Sequence, residues 1–419
     1  MKQTRSYPAV TVSSKAERSI LEGHPWIYDT ELTEPEETGA LKALENGGLV
    51  DVVSQKGRYL GTGLLSRQSK IRIRLISRNA NDRFDSAFWE RRIRYAWEYR
   101  KTVMGQNQED LAACRLIFGE ADQFPGLTVD RFGSVLVSQT LSVGMERLKP
   151  VLFPLLKKVL EEDGQAVHGI YERNDLSLRE LEGLDQGKGW YPLPGCAPVR
   201  DSCLIIRENG VQYRVDVENG QKTGFFLDQK YNRLAVSRLA KGKRVLDCFT
   251  HTGSFALNAA MGGAEKVLAV DVSESAVEMA RENVRLNGLE GKVECLAANV
   301  FDLLPKLEAE GRGQAPFDLI ILDPPAFTKS RRTVSGASRG YKEINLRAMK
   351  LLPRGGYLAT CSCSHFMEEE LFVKMLHSAA KDAGVQLRQI EARQQSPDHP
   401  VLWNVPETSY LKFYLFQVV

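Results

Sequence analysis

The segment Phe317-Asp-Leu-Ile-Ile-Leu-Asp-Pro-Pro325 joins a short apolar run to an acid and two prolines. Such a run, bounded by breakers, reads as a buried strand, and an open parallel sheet carries its site at the carboxyl ends of its strands. Three other segments have the same form: Arg244-Val-Leu-Asp-Cys-Phe-Thr-His-Thr-Gly253, Lys266-Val-Leu-Ala-Val-Asp271 and Tyr357-Leu-Ala-Thr-Cys-Ser-Cys-Ser364. Helical patterns separate them, so the chain from about Cys203 is expected to form an α/β doubly wound sheet. The clearest helix is expected at 275–287, opened by a capping box of Ser275 with Glu278 and stopped at Asn287-Gly288. After a helix at 368–383, the segments 385–392 and 410–418 have no helix between them. They are expected as an antiparallel hairpin at one edge, giving strand order 3-2-1-4-5-7-6.

With 419 residues and 43% hydrophobic content, the chain has the means to bury a large core and several domains. No apolar run approaches the ~20 residues of a membrane span, and Met-Lys-Gln-Thr-Arg-Ser lacks a signal-peptide core, so a cytoplasmic protein without a membrane partner is expected. Seven scattered cysteines do not suit a disulfide framework, and Cys361 with Cys363 is not a zinc-ligand spacing. A net charge of +3 points to no partner by itself. Its distribution does: Lys56–Arg78 holds seven basic residues and no acid, and Lys329–Arg354 holds eight against Glu343 alone. Two such runs favour a polyanion over a merely solvated face.

Residues 1–78 read as a small β-rich module in which Ile71-Arg-Ile-Arg-Leu-Ile76 alternates, presenting Arg72 and Arg74 on one face and burying Ile71, Ile73 and Leu75 on the other. Residues 79–190 read as an α+β unit, whose first helix is expected to carry Arg91, Arg92, Arg94, Arg100 and Lys101 on a polar face. The Gly- and Pro-rich stretch 183–201 is the best linker candidate, followed by the third domain, 191–419.

A dinucleotide fold would place Gly-x-Gly-x-x-Gly after its first strand, whereas Asp247-Cys-Phe-Thr-His-Thr-Gly253 has one glycine. That turn is a poor pyrophosphate cradle and suits a cationic ligand without phosphate. Asp271, at the end of the second strand, is placed to accept both hydroxyls of a ribose, and Asn299 with Val300, after the third, to meet an adenine ring.

At these residues the sequence resembles the class I methyltransferases, over about 203–419. It is more closely similar to the bacterial large-subunit rRNA cytosine-5 methyltransferases that carry an N-terminal PUA domain. The resemblance rests on Gly23-His-Pro-Trp-Ile-Tyr28, Asn219-Gly-Gln-Lys-Thr-Gly-Phe-Phe-Leu-Asp-Gln229, Asp323-Pro-Pro-Ala-Phe327, Arg339-Gly-Tyr-Lys-Glu-Ile-Asn345, Ser362-Cys-Ser-His365 and Asp398-His-Pro400. It implies a seven-stranded Rossmann-like methyltransferase sheet behind a PUA RNA-binding module and the α+β unit. It also implies S-adenosyl-L-methionine as cofactor and no metal. The implied cofactor residues are Phe226, Asp228 and Gln229 of a closing segment, Asp247, Phe249, Thr250 and Gly253 of the first turn, Asp271, Val272 and Ser273, Asn299 and Val300, and Asp323. The implied partner is RNA, of the 23S kind; oligomeric state stays open, with a homodimer among the expectations.

The C5 carbon of cytosine is a poor nucleophile until a thiolate adds at C6. The resemblance assigns that thiolate to Cys363, with Asp323 contacting the base near N3 or N4, while Cys361 is expected to face the opposite side of the strand. The position after the prolines, which holds a second cysteine in some cytosine-5 enzymes, is Ala326. The base that removes the C5 proton stays open among Asp323, water and Asp398. Methylation of a purine amino group and binding without turnover are the alternatives.

Overall fold

A computed structural model describes residues 7–33, 41, 42, 44–105, 107–196, 201–311, 315–328 and 330–419. The N-terminal hexapeptide, linker residues 197–200 and Lys329 of the second basic run lie outside the described residues. The chain divides into two compact units: Met1–Ile206 with Val215–Leu227 and Pro397–Thr408, and Arg207–Arg214 with Asp228–Ser396 and Ser409–Val419.

The first unit contains two five-stranded sheets. The N-terminal one is ordered Ala9–Val12, Leu49–Ser54, Tyr59–Leu65, Ile71–Ser77, Trp26–Tyr28. Alternation in these strands sends Val12, Val50, Val52, Leu65 and Ile73 into one core with Ile20 and Ile27. The alternation expected for Ile71–Ile76 meets a bulge opposite Thr62 and Gly63, and Arg74 is buried, its guanidinium 2.8 Å from Glu182. Arg72 donates to the carbonyls of Ser66 and Arg67, and Arg67 to those of Leu41 and Leu44. Arg67 and Arg72 therefore hold the module together and Arg74 ties it to Glu182, while Lys56, Arg58, Lys70 and Arg78 are exposed.

The second sheet is ordered Gly187–Trp190, Gly169–Asn174, Val135–Thr140, Leu127–Phe132, Ala113–Phe118. Its first strand lies inside the stretch read as a linker. The helix Ser86–Val103 also departs from expectation, since Arg92 and Arg100 are buried. They fall at the 3- and 4-residue steps of the stripe Trp89, Ile93, Trp97. Asp122 forks onto Arg100 at 2.6 and 2.7 Å, and Arg92 donates to the Gln123 carbonyl at 2.9 Å.

The second unit is built on a seven-stranded sheet. Its strands in chain order are β1 Arg244–Cys248, β2 Lys266–Asp271, β3 Val293–Ala297, β4 Leu319–Leu322, β5 Tyr357–Ser362, β6 Leu387–Arg393 and β7 Lys412–Val418. The spatial order is β3-β2-β1-β4-β5-β7-β6, as the missing helix between the last two strands requires. β1 to β5 run parallel, and β7 is antiparallel to both β5 and β6. Leu319, Ile320, Ile321 and Leu322 are all buried, because helices cover both faces of a parallel sheet. The helix after β2 spans Glu274–Leu286, and its cap is Ser273, whose hydroxyl accepts from Ala276 N at 3.3 Å. The box expected at Ser275 with Glu278 thus begins two residues too late. The preference for a hydroxyl at the cap is met by the earlier serine.

Candidate active site

Parallel strands end on one side of a sheet, so Asp247, Asp271 and Asp323 arrive together at one edge. After β1 the chain turns through Phe249 and His251 with φ of 63° and 51°, a left-handed conformation rare outside glycine. The turn is held by Thr250 N to Val270 O at 2.9 Å, His251 N to Asp271 Oδ2 at 2.9 Å and Gly253 N to Thr250 O at 2.9 Å. Gly253, at φ 85°, packs so close that a Cβ would come 3.2 Å from that of Ala280. Strain over-determined in this way is a property of ligand-binding turns.

Asp247 is fully buried, its Oδ2 accepting from Thr250 Oγ1 at 2.5 Å and Ala256 N at 2.9 Å. Its Oδ1 is buried and has no hydrogen-bond partner among the described residues. Burial pushes this carboxyl up to about 7, opposed by those two donors. Asp271 also spends Oδ1 on Ser273 N at 3.0 Å, and Val272 beside it is 71% exposed, an apolar side chain standing in water. Asn299 caps the helix Val300–Glu310, accepting from Phe301 N at 3.1 Å and donating to Asp302 at 2.9 Å. Val300 is buried in the core.

At the end of β4, Asp323 Oδ1 accepts from Gln229 Nε2 at 3.0 Å, and Gln229 Oε1 accepts from Asn232 at 2.6 Å. That second bond fixes which end of the Gln229 amide meets Asp323. Burial, then the neighbouring Asp228, raises the Asp323 carboxyl to about 6. Asp228 itself accepts from Tyr410 Oη at 2.6 Å. Phe226 belongs to the first unit, where Lys222 Nζ lies 4.6 Å over its ring.

Cys361 in β5 and Cys363 just beyond it do not face opposite sides. Residues two apart share a face, and both point toward the Asp323-Pro-Pro segment: Cys361 against Asp323, Cys363 with its Sγ 3.9 Å from the Pro324 carbonyl. Burial separates them instead. Cys361 is sealed, and desolvation followed by Asp323 pushes its thiol well above the ordinary value, whereas Cys363 is half-buried, just past the strand end. The flanking serines pin this segment, Ser362 Oγ donating to Tyr341 Oη at 3.1 Å and Ser364 Oγ to the Thr328 carbonyl at 3.0 Å. The rings of Phe249, Phe301, Phe327 and Tyr341 make a wall with neighbouring centroids 4.6 to 6.5 Å apart.

Asp398 belongs to the first unit. Its Oδ2 accepts from Arg115 N at 2.8 Å, its Oδ1 lies 3.0 Å from His399 Nδ1, and its carbonyl accepts from Arg100 at 2.9 Å. Lys412 was missed by sequence reasoning. Its signal was a lysine inside the apolar strand Tyr410-Leu-Lys-Phe-Tyr-Leu-Phe416.

An unpaired carboxylate oxygen, a strained turn and an exposed valine beside a ribose-height acid fit a cationic nucleoside. Residues 196–417 match the S-adenosylmethionine-dependent methyltransferase family, and 10–78 match the PUA-like domain. The structure of a putative methyltransferase from Streptococcus mutans shares the fold, with TM-score 0.79 at 22% identity over 98% of this chain and 100% of that one. A second, of a putative methyltransferase complexed with SAH, gives 0.79 at 23% over the same shares. The protein is thus an S-adenosylmethionine-dependent methyltransferase. Ribosomal RNA large subunit methyltransferase I of Klebsiella pneumoniae is 39% identical over 418 residues, 99% of either chain. That of Cronobacter sakazakii is 39% identical over 408, covering 96% of this chain and 97% of its own. The chain belongs to the ribosomal RNA large subunit methyltransferase I family.

The Asp247 carboxyl sets a pH test. A cation beside Oδ1 favours its ionised form, so cofactor affinity should rise as pH increases toward about 7 and level off above it, by up to about tenfold per unit. Calorimetry between pH 5.5 and 8.5 reads this, and Asp247→Asn should flatten the curve. An affinity that falls over that range would put the cation elsewhere.

Proposed function

We propose that this chain methylates C5 of a cytosine in large-subunit (23S) ribosomal RNA through a Cys363 adduct. The observation that carries the reading is the half-buried Cys363 at the mouth of β5, against Pro324 and next to Asp323, while Cys361 is sealed. The names of its relatives supply the ribosomal RNA.

Bound S-adenosylmethionine supplies an electrophilic methyl on a sulfonium; Asp247, Asp271, the Phe249–Gly253 turn, Val272, Ser273 and the Val300 backbone would hold it. Cys363 adds as thiolate to C6, which turns C5 into an enamine-like carbon. Asp323, oriented by Gln229, lies against the N3 and N4 edge and shares its proton with N3 as the ring accepts charge. The aromatic wall stacks a base that is unpaired or flipped. Asp323 and Cys363 come from one chain, so this chemistry calls for no homodimer.

We further propose a division of labour in which 1–78 docks RNA, 79–190 supports it, and 191–419 performs the transfer. Methylating rRNA with labelled cofactor, digesting it to nucleosides and finding 5-methylcytidine is the direct test. Label in an N-methylated purine instead would sink the cytosine assignment.

Docking should be salt-dependent. In the second basic run Lys342 pairs with Asp382, Arg347 with Glu308 and Glu343, and Lys350 with Glu308, whereas Arg332 and Arg339, near the start of the helix Val334–Leu351, are exposed. If these two and Lys56, Arg58, Lys70 and Arg78 all meet phosphates, log–log affinity should fall with a slope near −4, at about −0.7 per contact. Filter binding from 50 to 300 mM salt measures it. A slope shallower than about −1 would remove both clusters from the RNA path.

A further inference from the structure

β7 inserts beside β5 in antiparallel register, with Lys412 directly opposite Ser362. The Lys412 side chain reaches past that residue, and its Nζ donates to the Ser364 carbonyl at 2.7 Å and to the Tyr410 carbonyl at 2.9 Å. Cys363 lies between the residue that Lys412 opposes and the residue its ammonium grips. Lys412 forms no ion pair among the described residues; Glu369, the nearest acid that acts on it, spends Oε1 on Tyr414 Oη at 2.6 Å. A recessed ammonium with only carbonyl partners among the described residues, one of them on the residue next to a thiol, is costly to place there unless its charge has a use.

We propose that Lys412 is the positioning residue for Cys363: its ammonium favours ionisation of the thiol and holds the thiolate as an ion pair at the mouth of β5. The S–H bond breaks with its electron pair staying on sulfur and its proton passing to water, while Lys412 keeps its own proton. When the C6–S bond later breaks, the thiolate returns to the same ammonium, so no further proton is gained or lost. This rests on the cytosine-5 reading, in which Cys363 must be ionised to act.

Burial lowers Lys412 to about 8, with Cys363 and then Glu369 working against that drop. At about 8 it is still mostly protonated at pH 7, so the charge that would hold a thiolate is present. Tyr341 and Cys361 are further titratable groups that act on Cys363 among the described residues. Each is neutral or acidic and neither could hold a thiolate.

The test is alkylation of Cys363 by iodoacetamide in the full-length protein without RNA, from pH 6 to 9.5, with the adduct located by tandem mass spectrometry. The wild type should have a midpoint below about 8.5. Lys412→Met should raise the midpoint by about one unit, slowing alkylation at pH 7 about tenfold, while Lys412→Arg, which keeps the charge, should hold it low. Calorimetric cofactor binding verifies that each variant is folded. Overlapping wild-type and Lys412→Met profiles, or equal shifts in Met and Arg variants, would overturn the proposal. If Lys412→Met does not fold, a wild-type midpoint at or above about 8.5 overturns it by itself. Because no RNA takes part, a wild type that alkylates as expected yet traps no 5-fluorocytosine RNA would defeat the cytosine reading and leave the lysine–thiol pair standing.

Discussion

Cys363→Ala should abolish methyl transfer, by on the order of 10⁴-fold or more, while cofactor and RNA still bind. The effect is that large because no second group stands ready: Cys361 is sealed and its thiol is held protonated by burial and by Asp323. Cys361→Ala should accordingly keep its activity, although both thiols face the same segment. RNA with 5-fluorocytosine at the target should form a covalent protein–RNA adduct in the wild type, since fluorine cannot leave as a proton does, and none in Cys363→Ala. Gel electrophoresis under denaturing conditions reads the adduct. Full activity in Cys363→Ala would end the cytosine-5 assignment and favour methylation of a purine amino group by Asp323 and its prolines.

Asp323→Asn should slow single-turnover transfer by about 10²–10⁴-fold, the range for loss of a positioned acid or base. A carboxyl at about 6 is protonated in roughly one molecule in ten at pH 7, against about one in a thousand at its ordinary value. The wild-type rate should fall on the alkaline side as that proton is lost, and the variant should lack this limb. Stability should move the other way. Because the folded carboxyl binds its proton more tightly than the unfolded one, it lowers stability as pH rises from about 4 to about 6, leaving the full cost at neutral pH. Asp323→Asn should therefore melt no lower than the wild type at pH 7 while being far slower. A variant both unstable and slow would make Asp323 a structural residue.

The sheet was legible because apolar runs ending in acids recur at β1, β2 and β4, and because two strands without an intervening helix must pair antiparallel. The charged residues were less so. Arg74 and Arg100 look like surface residues, since charge is assigned to water unless a partner is known. Their partners, Glu182 and Asp122, lie 108 and 22 positions away, and only the fold brings them near. Cys361 was placed wrongly for a simpler reason, a two-residue period misapplied. Lys412 needed the register of β7 against β5 before its neighbour could be named.

The place of β7 between β5 and β6 bears on how the chain is made. β6 has β7 as its one partner, yet it is synthesised first. Until residues 412–418 emerge, β5 offers an open edge and β6 has nothing to pair with. β6 is lined with Arg388, Glu391 and Arg393 and broken by a register shift between Gln389 and Glu391. Charge and a bulge are what keep a waiting strand from pairing with another chain. If Lys412 serves Cys363 as proposed, assembly of the sheet and delivery of the ammonium to the thiolate become a single late event, and a nascent chain gains its reactive cysteine when its sheet closes.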